Sequence, residues 1–301
     1  MARRILVTGA GGMLGSELMA ALSAADEVRG WSYSRDRPRC RRVEAGSGED
    51  VEAFFAQEPL DVCVHCVANA DVQQCEDDPE MAHRVNTVTT GNVAQQCARR
   101  GVKLVYISTE YVFDGRATDG YAENDPPNPL QVYGETKRRG ETEASRVPDH
   151  LIVRLPVLYG KRVSGRGPTW TESLLHTLRQ GEAVELDDRF ERQPTWTGDV
   201  AAIVGRLIAE DRGGIVHLAS REKVTKYAWA RKIAETAGLP AALVLPSYAL
   251  RPASGAPRPP RPCLKTTRLE QMGIDPPAGV SQRLPSYLSA IGEARAPRTD
   301  H

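Results

Sequence analysis

Tyr133 and Lys137 lie four positions apart in the stretch "QVYGETKRRGE", residues 131–141. On a helix, this spacing places both side chains on one face, with their Cβ atoms about 5–6 Å apart. A lysine charge beside a phenol stabilises the phenolate and so lowers the pKa of the tyrosine from its free value of about 10. The pair could therefore donate a proton at neutral pH, although so short a pattern also occurs by chance on solvated helices.

The elements that would carry this pair alternate along the first 155 residues. Short apolar runs rich in Val, Ile and Leu, such as "RILVTG", "KLVYIS" and "HLIVRL", are separated by helical stretches. Such runs are typical of parallel strands that helices cover on both faces. We therefore predict an α/β fold with a doubly wound parallel sheet over residues 1–155. Residues 156–293 are predicted to form a smaller C-terminal substrate lobe, interleaved with this core, and residues 294–301 a tail.

A glycine turn follows the first predicted strand, in "LVTGAGGMLG". Gly9 would make the tight turn, Gly12 would let the backbone approach a pyrophosphate, and Gly15 would allow close packing of helix on strand. The helix that begins here would direct its positive end toward the anion. We predict that these glycines, with Met13 and Leu14, bind a dinucleotide, so that the first domain is an NAD(P)-binding Rossmann domain.

The end of the second predicted strand bears on the choice of cofactor. In NAD-selective folds an acidic residue usually stands there and accepts the ribose hydroxyls. This chain has Ser32, Ser34 and Arg35 in "WSYSRDRP" instead. These side chains would bind a 2′-phosphate. The sequence therefore predicts NADPH as the cofactor and does not exclude NADH. The alternative is that the arginine-rich run is a solvated loop without a ligand.

Charge and hydropathy limit the classes of molecule that the protein is expected to bind. Lys+Arg and Asp+Glu each total 39, so no overall basic field would gather nucleic acid. No run approaches the roughly 18 consecutive apolar residues of a membrane span. The start "MARRILVTGAGG" runs directly into a strand and a glycine turn and has no secretory pattern. We expect a cytoplasmic protein that binds a small molecule and neither nucleic acid nor membrane.

The six cysteines are too sparse and irregular to predict a disulfide framework. Cys63 and Cys66 form a C-x-x-C pattern around His65, but "VCVHCVA" is typical of a buried strand, where thiols pack as small hydrophobes. No second pair of ligands follows, and the other histidines are scattered. We expect reduced thiols and no metal.

Several separated motifs together resemble the extended short-chain dehydrogenase/reductase superfamily. They are the glycine turn and the stretches "DDPEMAHRVN", "STEYVFDG", "YAENDPPNPLQVYGETKRRGE" and "RQPTWTGDVA". Within the superfamily, the chain is most similar to the dTDP-4-dehydrorhamnose reductase family, from residue 4 to about residue 275.

This resemblance implies a catalytic triad of Thr109, Tyr133 and Lys137. Tyr133 would protonate a carbonyl oxygen as a hydride leaves the nicotinamide, and Thr109 would hydrogen-bond the same oxygen. Lys137 would lower the pKa of the phenol and hold the nicotinamide ribose. The opening pattern would then be a proton donor for a ketone.

The resemblance also implies which residues line the two ligand sites. The cofactor would be lined, beyond the glycine turn, by Val67, Ala68, Asn69 and Ser108. The substrate would meet Ala70, Thr109, Tyr111, Val157 and Arg192. Five arginines are predicted to flank the pocket entrance, where at least one would bind a diphosphate through its planar fork: Arg154, Arg162, Arg166, Arg189 and Arg192.

The chain departs from the family pattern mainly in the substrate lobe. The aspartate expected after the catalytic threonine is Glu110, and Val157 replaces an aromatic residue expected near the sugar. An asparagine-phenylalanine stretch becomes "KRVSGRGP", and Lys265 stands where aspartate is usual. The cofactor and proton chemistry are therefore expected to be retained, whereas the substrate is not inherited from the family.

Three functions remain open at this point. The first is an NAD(P)H-dependent reductase of a nucleotide-activated 4-keto-6-deoxysugar, which could act as a monomer or as a homodimer. The second is a non-catalytic NADP-binding regulatory subunit resembling the β subunit of methionine adenosyltransferase. The third is a sugar-nucleotide epimerase or dehydratase of the same superfamily. Dehydratases usually follow the threonine with an Asp-Glu pair, whereas this chain has Glu110 and Tyr111, which disfavours elimination chemistry.

Overall fold

The computed structural model describes residues 2–32, 39–162, 167–248 and 255–293. Within these residues, seven parallel strands form the central sheet, in the order β3-β2-β1-β4-β5-β6-β11. The strands are β1 (Arg4–Thr8), β2 (Glu27–Ser32), β3 (Cys40–Arg42), β4 (Val62–His65), β5 (Lys103–Thr109), β6 (His150–Leu155) and β11 (Gly214–His217). The prediction of a doubly wound parallel sheet is confirmed.

Helices cover both faces of this sheet. Those of the first half are α1 (Met13–Leu22), α2 (Gly48–Gln57), α3 (Val72–Asp77), α4 (Pro79–His83), α5 (Thr89–Arg100) and α6 (Val132–Ala144). One apolar core lies between the sheet and α1, and a second lies on the other face against α2 and α5. Because both faces are covered, the inner strands are apolar along nearly their whole length.

Two irregular helical turns interrupt the regular elements near the end of the sheet. A π-helical turn, Arg84–Val88, joins α4 to α5, and a 3₁₀ turn, Glu110–Val112, follows β5 directly. Single π turns within helices are often found at functional sites. Both turns lie beside α6, the helix that carries Tyr133 and Lys137.

The second half adds short strands and further helices. These are β7 (Leu158–Tyr159), α7 (Trp170–Arg179), β8 (Val184–Asp187), β9 (Glu191–Arg192), β10 (Thr195–Trp196), α8 (Thr197–Ala209), β12 (Val224–Thr225), α9 (Lys226–Ala237), β13 (Val244–Ser247), α10 (Thr267–Gln271) and α11 (Val280–Ala290). A short 3₁₀ turn, Ala241–Leu243, precedes β13. The short strands pair as β7 with β10, β8 with β13 and β9 with β12.

The second half does not stand apart from the first. Helix α8 packs against α1, and β11 extends the central sheet beside β6. The remaining elements enclose a separate apolar core that includes Leu175, Ile233 and Leu284. The division at residue 155 stays a prediction. The predicted tail lies outside the described residues, and no helix within them is long and apolar enough to span a membrane.

Candidate active site

The glycine turn between β1 and α1 can be formed only by residues with little or no side chain. Gly9 has φ +66°, and a Cβ there would lie 3.0 Å from the backbone carbon of Cys66. A Cβ at Gly15 would overlap the carbonyl oxygen of Gly9. Gly12 precedes α1 and has no side chain to cap it, so the first N–H groups of the helix remain for an anion. These features fit the pyrophosphate of a dinucleotide.

The other residues predicted at the dinucleotide site are distributed around this turn. Leu14 is a buried residue of α1, whereas Met13 lines the cleft that is described below. Ser32 ends β2 as a buried residue, and its hydroxyl lies 3.3 Å from the position of a Cβ on Gly11. The predicted phosphate-binding residues Ser34 and Arg35 lie outside the described residues.

Asn86 fixes the loop that follows β4. Its side-chain oxygen accepts a hydrogen bond from the backbone N–H of Asn69 at 2.8 Å, and its amide nitrogen donates to the Asn69 carbonyl at 3.2 Å. The same nitrogen donates to the Thr136 hydroxyl on α6 at 3.0 Å. This buried residue therefore ties the predicted cofactor-lining segment, Val67 to Asn69, to the helix of the catalytic pair.

Sequence reasoning assigned no role to Asn86, although it stands in the "RVN" block that carries part of the resemblance. The residue belongs to the π-helical turn, which the apolar pattern does not distinguish from an ordinary helix. A signal was nevertheless present, since a polar asparagine at an inward position needs buried partners.

Helix α6 approaches β5 closely because two of its residues are glycines. A Cβ at Gly134 would overlap the carbonyl oxygen of Tyr111, and one at Gly140 would overlap the hydroxyl of Tyr106. The backbone N–H of Val132 donates to the Glu76 carboxylate at 3.1 Å, which satisfies one of the free donors at the start of the helix. The approach places Tyr133 next to the carboxyl end of β5.

Tyr133 and Thr109 lie next to each other there. The Thr109 hydroxyl interacts with the phenol and also accepts the backbone N–H of Tyr111 at 3.2 Å. Burial raises the pKa of Tyr133 above its ordinary value, and the hydrogen bond with Thr109 acts in the opposite direction. The phenol is therefore protonated at neutral pH. The expected lowering of its pKa by Lys137 stays a prediction.

Lys137 is buried one helical turn beyond Tyr133. Its Nζ donates to the carbonyl oxygen of Ile107 at 2.8 Å and lies 4.1 Å from the centre of the Tyr106 ring. Burial lowers the pKa of Lys137 to about 7, while Glu141 and Cys66 act to raise it. At neutral pH the charged and neutral forms of this lysine are therefore present in similar amounts.

Ser108 has its hydroxyl committed inside the protein. The hydroxyl donates to the Glu141 carboxylate at 2.6 Å, and the residue is 4% exposed. Its predicted contact with the cofactor stays a prediction.

A cleft of about 720 Å³ brings together most of the predicted substrate residues. Ala70, Tyr111, Val157 and Arg192 all line it. The Tyr111 ring lies 6.1 Å from the Tyr133 ring, so the cleft opens beside the predicted proton donor, which is not itself a lining residue. Thr109 contacts Tyr133 but is not a wall residue.

The far wall of the cleft is aromatic, which sequence reasoning missed. The aromatic residues lining it are Tyr159, Trp170, Phe190, Trp229 and Tyr287. Trp170 and Trp229 pack at 4.7 Å between ring centres. They belong to α7 and α9, whose helical pattern gives no signal that separates a core residue from a wall residue.

The predicted arginines divide into different environments. Arg192 lines the cleft, where its guanidinium donates to the carbonyl oxygens of Glu191 at 2.6 Å and Pro260 at 3.0 Å. Arg162 also lines it, as does Arg258, which was not predicted. Arg189 forms an ion pair with Asp187 at 3.1 Å. Arg166 lies outside the described residues.

Arg154 was wrongly predicted at the pocket entrance. It points inward from β6 with 2% exposure and binds Glu141 through two hydrogen bonds of 2.9 and 2.8 Å. A charged side chain on a strand that is buried on both faces must be paired inside the protein. This arginine is therefore not available to a diphosphate.

Glu110 connects two positions at which the chain departs from the family pattern, namely its own and that of Val157. It is 2% exposed, and burial raises the pKa of its carboxyl to about 8, whereas Arg192 and a hydrogen bond with the backbone of Val157 act to lower it. Its second oxygen has no hydrogen-bond partner among the described residues. The glutamate thus contacts the segment in which an aromatic residue has been lost.

No cluster of three His, Cys, Asp or Glu side chains that could hold a metal ion occurs among the residues described. Cys63 is buried in β4, and Cys66 follows it as a partly buried free thiol.

Comparisons with known proteins identify relatives of this chain and structures with the same fold. Residues 3–292 match the model of the RmlD substrate binding domain. The chain is 34% identical to the probable low-salt glycan biosynthesis reductase Agl14 of Haloferax volcanii, over 90% of this chain and 93% of that protein. It is 34% identical to methionine adenosyltransferase 2 subunit beta of Danio rerio, over 90% and 85% of the two chains. The crystal structure of dTDP-4-dehydrorhamnose reductase from Bacillus anthracis in complex with NADP superposes with a TM-score of 0.88, at 25% identity, over 96% of this chain and 100% of that one. The chain therefore belongs to the RmlD substrate binding domain family.

Proposed function

We propose that the protein is an NADPH-dependent reductase of a nucleotide-activated 4-keto-6-deoxysugar. The observation that carries this proposal is the placement of Tyr133 beside Thr109 at the end of β5, next to the cleft that Tyr111 lines. A phenol that is protonated at neutral pH, with a hydroxyl next to it and a cleft in front of it, suits the protonation of a carbonyl oxygen.

The chain's residues fit a nicotinamide dinucleotide. The turn from Gly9 to Gly15 would hold the pyrophosphate, and Lys137 would hold the nicotinamide ribose. When bound, the cofactor supplies the hydride. Asn86 keeps the loop after β4 in place along the same edge of the sheet.

Tyr133 would transfer its phenolic proton to the carbonyl oxygen of the substrate. The Thr109 hydroxyl would donate a hydrogen bond to the same oxygen, and the positive charge of Lys137 would stabilise the phenolate that remains. The raised pKa of Tyr133 keeps the proton in place until the ketone arrives. The lysine charge is then needed to make its release favourable.

The cleft is wide enough for a sugar nucleotide and carries cations for a diphosphate. Arg192 is oriented by two backbone carbonyls, and Arg162 and Arg258 lie along the same walls. Planar guanidinium groups bind phosphate oxygens in pairs. Of the aromatic residues that line the cleft, the partly exposed Trp170 and Phe190 offer stacking surfaces for a base.

The test is NADPH oxidation, followed by absorbance, with a panel of dTDP-, UDP- and GDP-linked 4-keto-6-deoxysugars. We expect turnover with at least one member and a fall of roughly 10²–10⁴-fold in Tyr133→Phe. Calorimetry with dTDP, UDP and GDP in the presence of NADPH separates binding from chemistry. If no nucleotide binds and no sugar is reduced, the nucleotide-sugar proposal fails.

The preference for NADPH rests on Ser32, Ser34 and Arg35 in place of an acidic strand end. Arg35→Ala should weaken NADPH binding and leave NADH binding nearly unchanged, because only the 2′-phosphate distinguishes the two. Equal losses for both cofactors, measured by fluorescence titration, would show that the arginine does not read the phosphate.

A second candidate is a regulatory subunit, favoured by the 34% identity to methionine adenosyltransferase 2 subunit beta. Two measurements, complex formation and NADPH oxidation, distinguish the two functions. A regulatory subunit should form a stable complex with a methionine adenosyltransferase catalytic subunit in size-exclusion chromatography and should not oxidise NADPH with any sugar of the panel.

A further inference from the structure

A buried polar network lies on the side of α6 that faces β5 and β6. Its centre is Glu141, which is 7% exposed and stands four residues after Lys137 on the same helix. One carboxylate oxygen accepts the Ser108 hydroxyl at 2.6 Å and the Arg154 Nε at 2.9 Å. The other oxygen accepts the Arg154 Nη2 at 2.8 Å.

Arg154 is itself held from a third side. Its Nη1 lies 3.3 Å from the His217 ring nitrogen on β11 and donates to the Glu123 carbonyl at 3.3 Å. Its guanidinium lies 5.1 Å from the centre of the Phe113 ring. The carboxylate of Glu141 therefore cannot turn away without leaving a buried arginine unpaired, which is costly.

We propose that Glu141 is a positioning residue for Lys137, whose buried ammonium it keeps charged and directed toward the end of β5. This inference rests on the proposed role of Lys137 in the reductase. The ammonium has one direct acceptor among the described residues, the Ile107 carbonyl at 2.8 Å, and a carbonyl alone supplies no net charge. Glu141 supplies the negative charge at the next turn of the helix.

The other groups around Lys137 cannot replace this charge. They are the neutral imidazole of His65 from β4, the thiol of Cys66 directly after this strand, the ring of Tyr106 from β5, and the phenol of Tyr133 from α6. Burial holds the pKa of Lys137 at about 7, with Glu141 as the largest influence in the raising direction. Loss of the carboxylate would leave the lysine mostly neutral at neutral pH.

The test follows the titration of Lys137 by NMR, in protein labelled with ¹³C at the lysine ε carbon. The Lys137 resonance is assigned by its disappearance in Lys137→Met. In Glu141→Gln we expect the titration midpoint of Lys137 to fall by roughly one pH unit. Ser108→Ala, which removes one hydrogen bond and no charge, should lower it less.

Glu135→Gln provides the matched control, because Glu135 is on the same helix but pairs with the surface residues Arg138 and Arg139. Its change should leave the Lys137 midpoint in place. If Glu141→Gln does not fold, the double variant Glu141→Leu with Arg154→Met removes both buried charges. The midpoint should then still fall, but by less, because the loss of the Arg154 charge acts in the opposite direction. A folded variant of either kind with an unchanged midpoint would overturn the proposal.

The titration is measured without substrate, so its result is independent of the proposed reaction. If the wild-type protein reduces no sugar nucleotide, the proposed function fails while the midpoint still reports on Glu141. A merely structural glutamate would change the melting temperature and not the Lys137 midpoint. NADPH affinity measured between about pH 6 and pH 9 should weaken at a lower pH in Glu141→Gln than in the wild type.

Discussion

The end of the sheet beside Tyr133 and the cleft that Tyr111 and Arg192 line differ in how their residues are held. At the end of β5, each functional side chain is fixed by backbone or buried partners, as with Lys137 on the Ile107 carbonyl and Asn86 on the Asn69 backbone. In the cleft, the wall combines residues from five or more elements of both halves, including the exposed Arg162 and the partly exposed Trp170. The first region therefore tolerates little change, whereas the second can change its ligand without losing the fold.

This contrast agrees with where the chain departs from its family. The glycine turn and the triad of Thr109, Tyr133 and Lys137 retain the family pattern, whereas Val157 and the stretch "KRVSGRGP" do not. Glu110 stands at the boundary, since it follows Thr109 directly and contacts Val157. The predictions below test each region in turn.

The largest effect is expected for Tyr133→Phe, which removes the proton donor and keeps the ring. Turnover should fall by roughly 10²–10⁴-fold, the range of a single general acid, while NADPH affinity stays within a factor of a few. Single-turnover NADPH oxidation and fluorescence titration measure the two quantities. Tyr248→Phe, at a residue 63% exposed, is the control and should change neither. Retained turnover in Tyr133→Phe would remove the tyrosine from the mechanism.

Gly134→Ala tests whether the position of Tyr133 depends on close packing of α6. The new Cβ would overlap the backbone carbonyl of Tyr111, so the helix must shift away from the 3₁₀ turn that follows β5. A displacement of about 1 Å can reduce turnover by roughly 10²-fold. The control is Gly205→Ala in α8, where the nearest atom, on Leu22, lies at 3.4 Å, an ordinary contact. If both variants keep full turnover, the glycine contact does not set the site.

Much of the first region could be predicted from the sequence, because its geometry is local. The turn of Gly9 and Gly15 and the helical spacing of Tyr133 and Lys137 depend on a few consecutive residues. The partners of Arg154 could not be predicted, since Glu141 and His217 reach it from α6 and β11 only after the sheet has formed. An arginine near a predicted pocket gives the same local signal whether it faces solvent or a buried carboxylate.

The aromatic wall shows the same limit in the second region. Trp229 and Tyr287 lie on α9 and α11, 58 positions apart, and each occupies an inward position of an amphipathic helix. Packing places them in both the lobe core and the cleft wall. No local pattern separates these two roles, because both require a large apolar side chain.

Val157→Trp tests the cleft by restoring an aromatic residue where the family pattern has one. A buried ring contributes roughly 1–3 kcal/mol, so affinity for dTDP-4-dehydrorhamnose should rise by about 10- to 100-fold. Affinity for the protein's own substrate, once found in the panel, should fall because the cleft is narrower. Calorimetry measures both, and Val224→Ile at the same cleft serves as a control with little added volume. A fall in both affinities would mean that the cleft is not built around the family's sugar.

The smallest effect concerns Glu110, where the two regions meet. In the folded protein the pKa of its carboxyl is about 8, above the ordinary value of 4.5, so the folded state binds its proton more tightly than the unfolded chain does. The free energy of unfolding must then decrease as pH rises from about 4.5 to about 8. Gln at this position keeps an acceptor for the Val157 backbone but carries no titrating proton. Relative to the wild type, Glu110→Gln should therefore gain at least about 1.4 kcal/mol of stability between pH 5 and pH 8.5, the equivalent of one pKa unit.

Urea unfolding of both proteins at about pH 5 and about pH 8.5 measures this difference, with Glu185→Gln on the exposed side of β8 as the control. Parallel changes with pH in the wild type and Glu110→Gln would mean that Glu110 does not hold its proton in the folded state. Glu110 would then be a charged partner of Arg192 and not a neutral acid. The comparison matters for the substrate, because a neutral Glu110 leaves the guanidinium of Arg192 free to balance a diphosphate, whereas an ionised one already neutralises it.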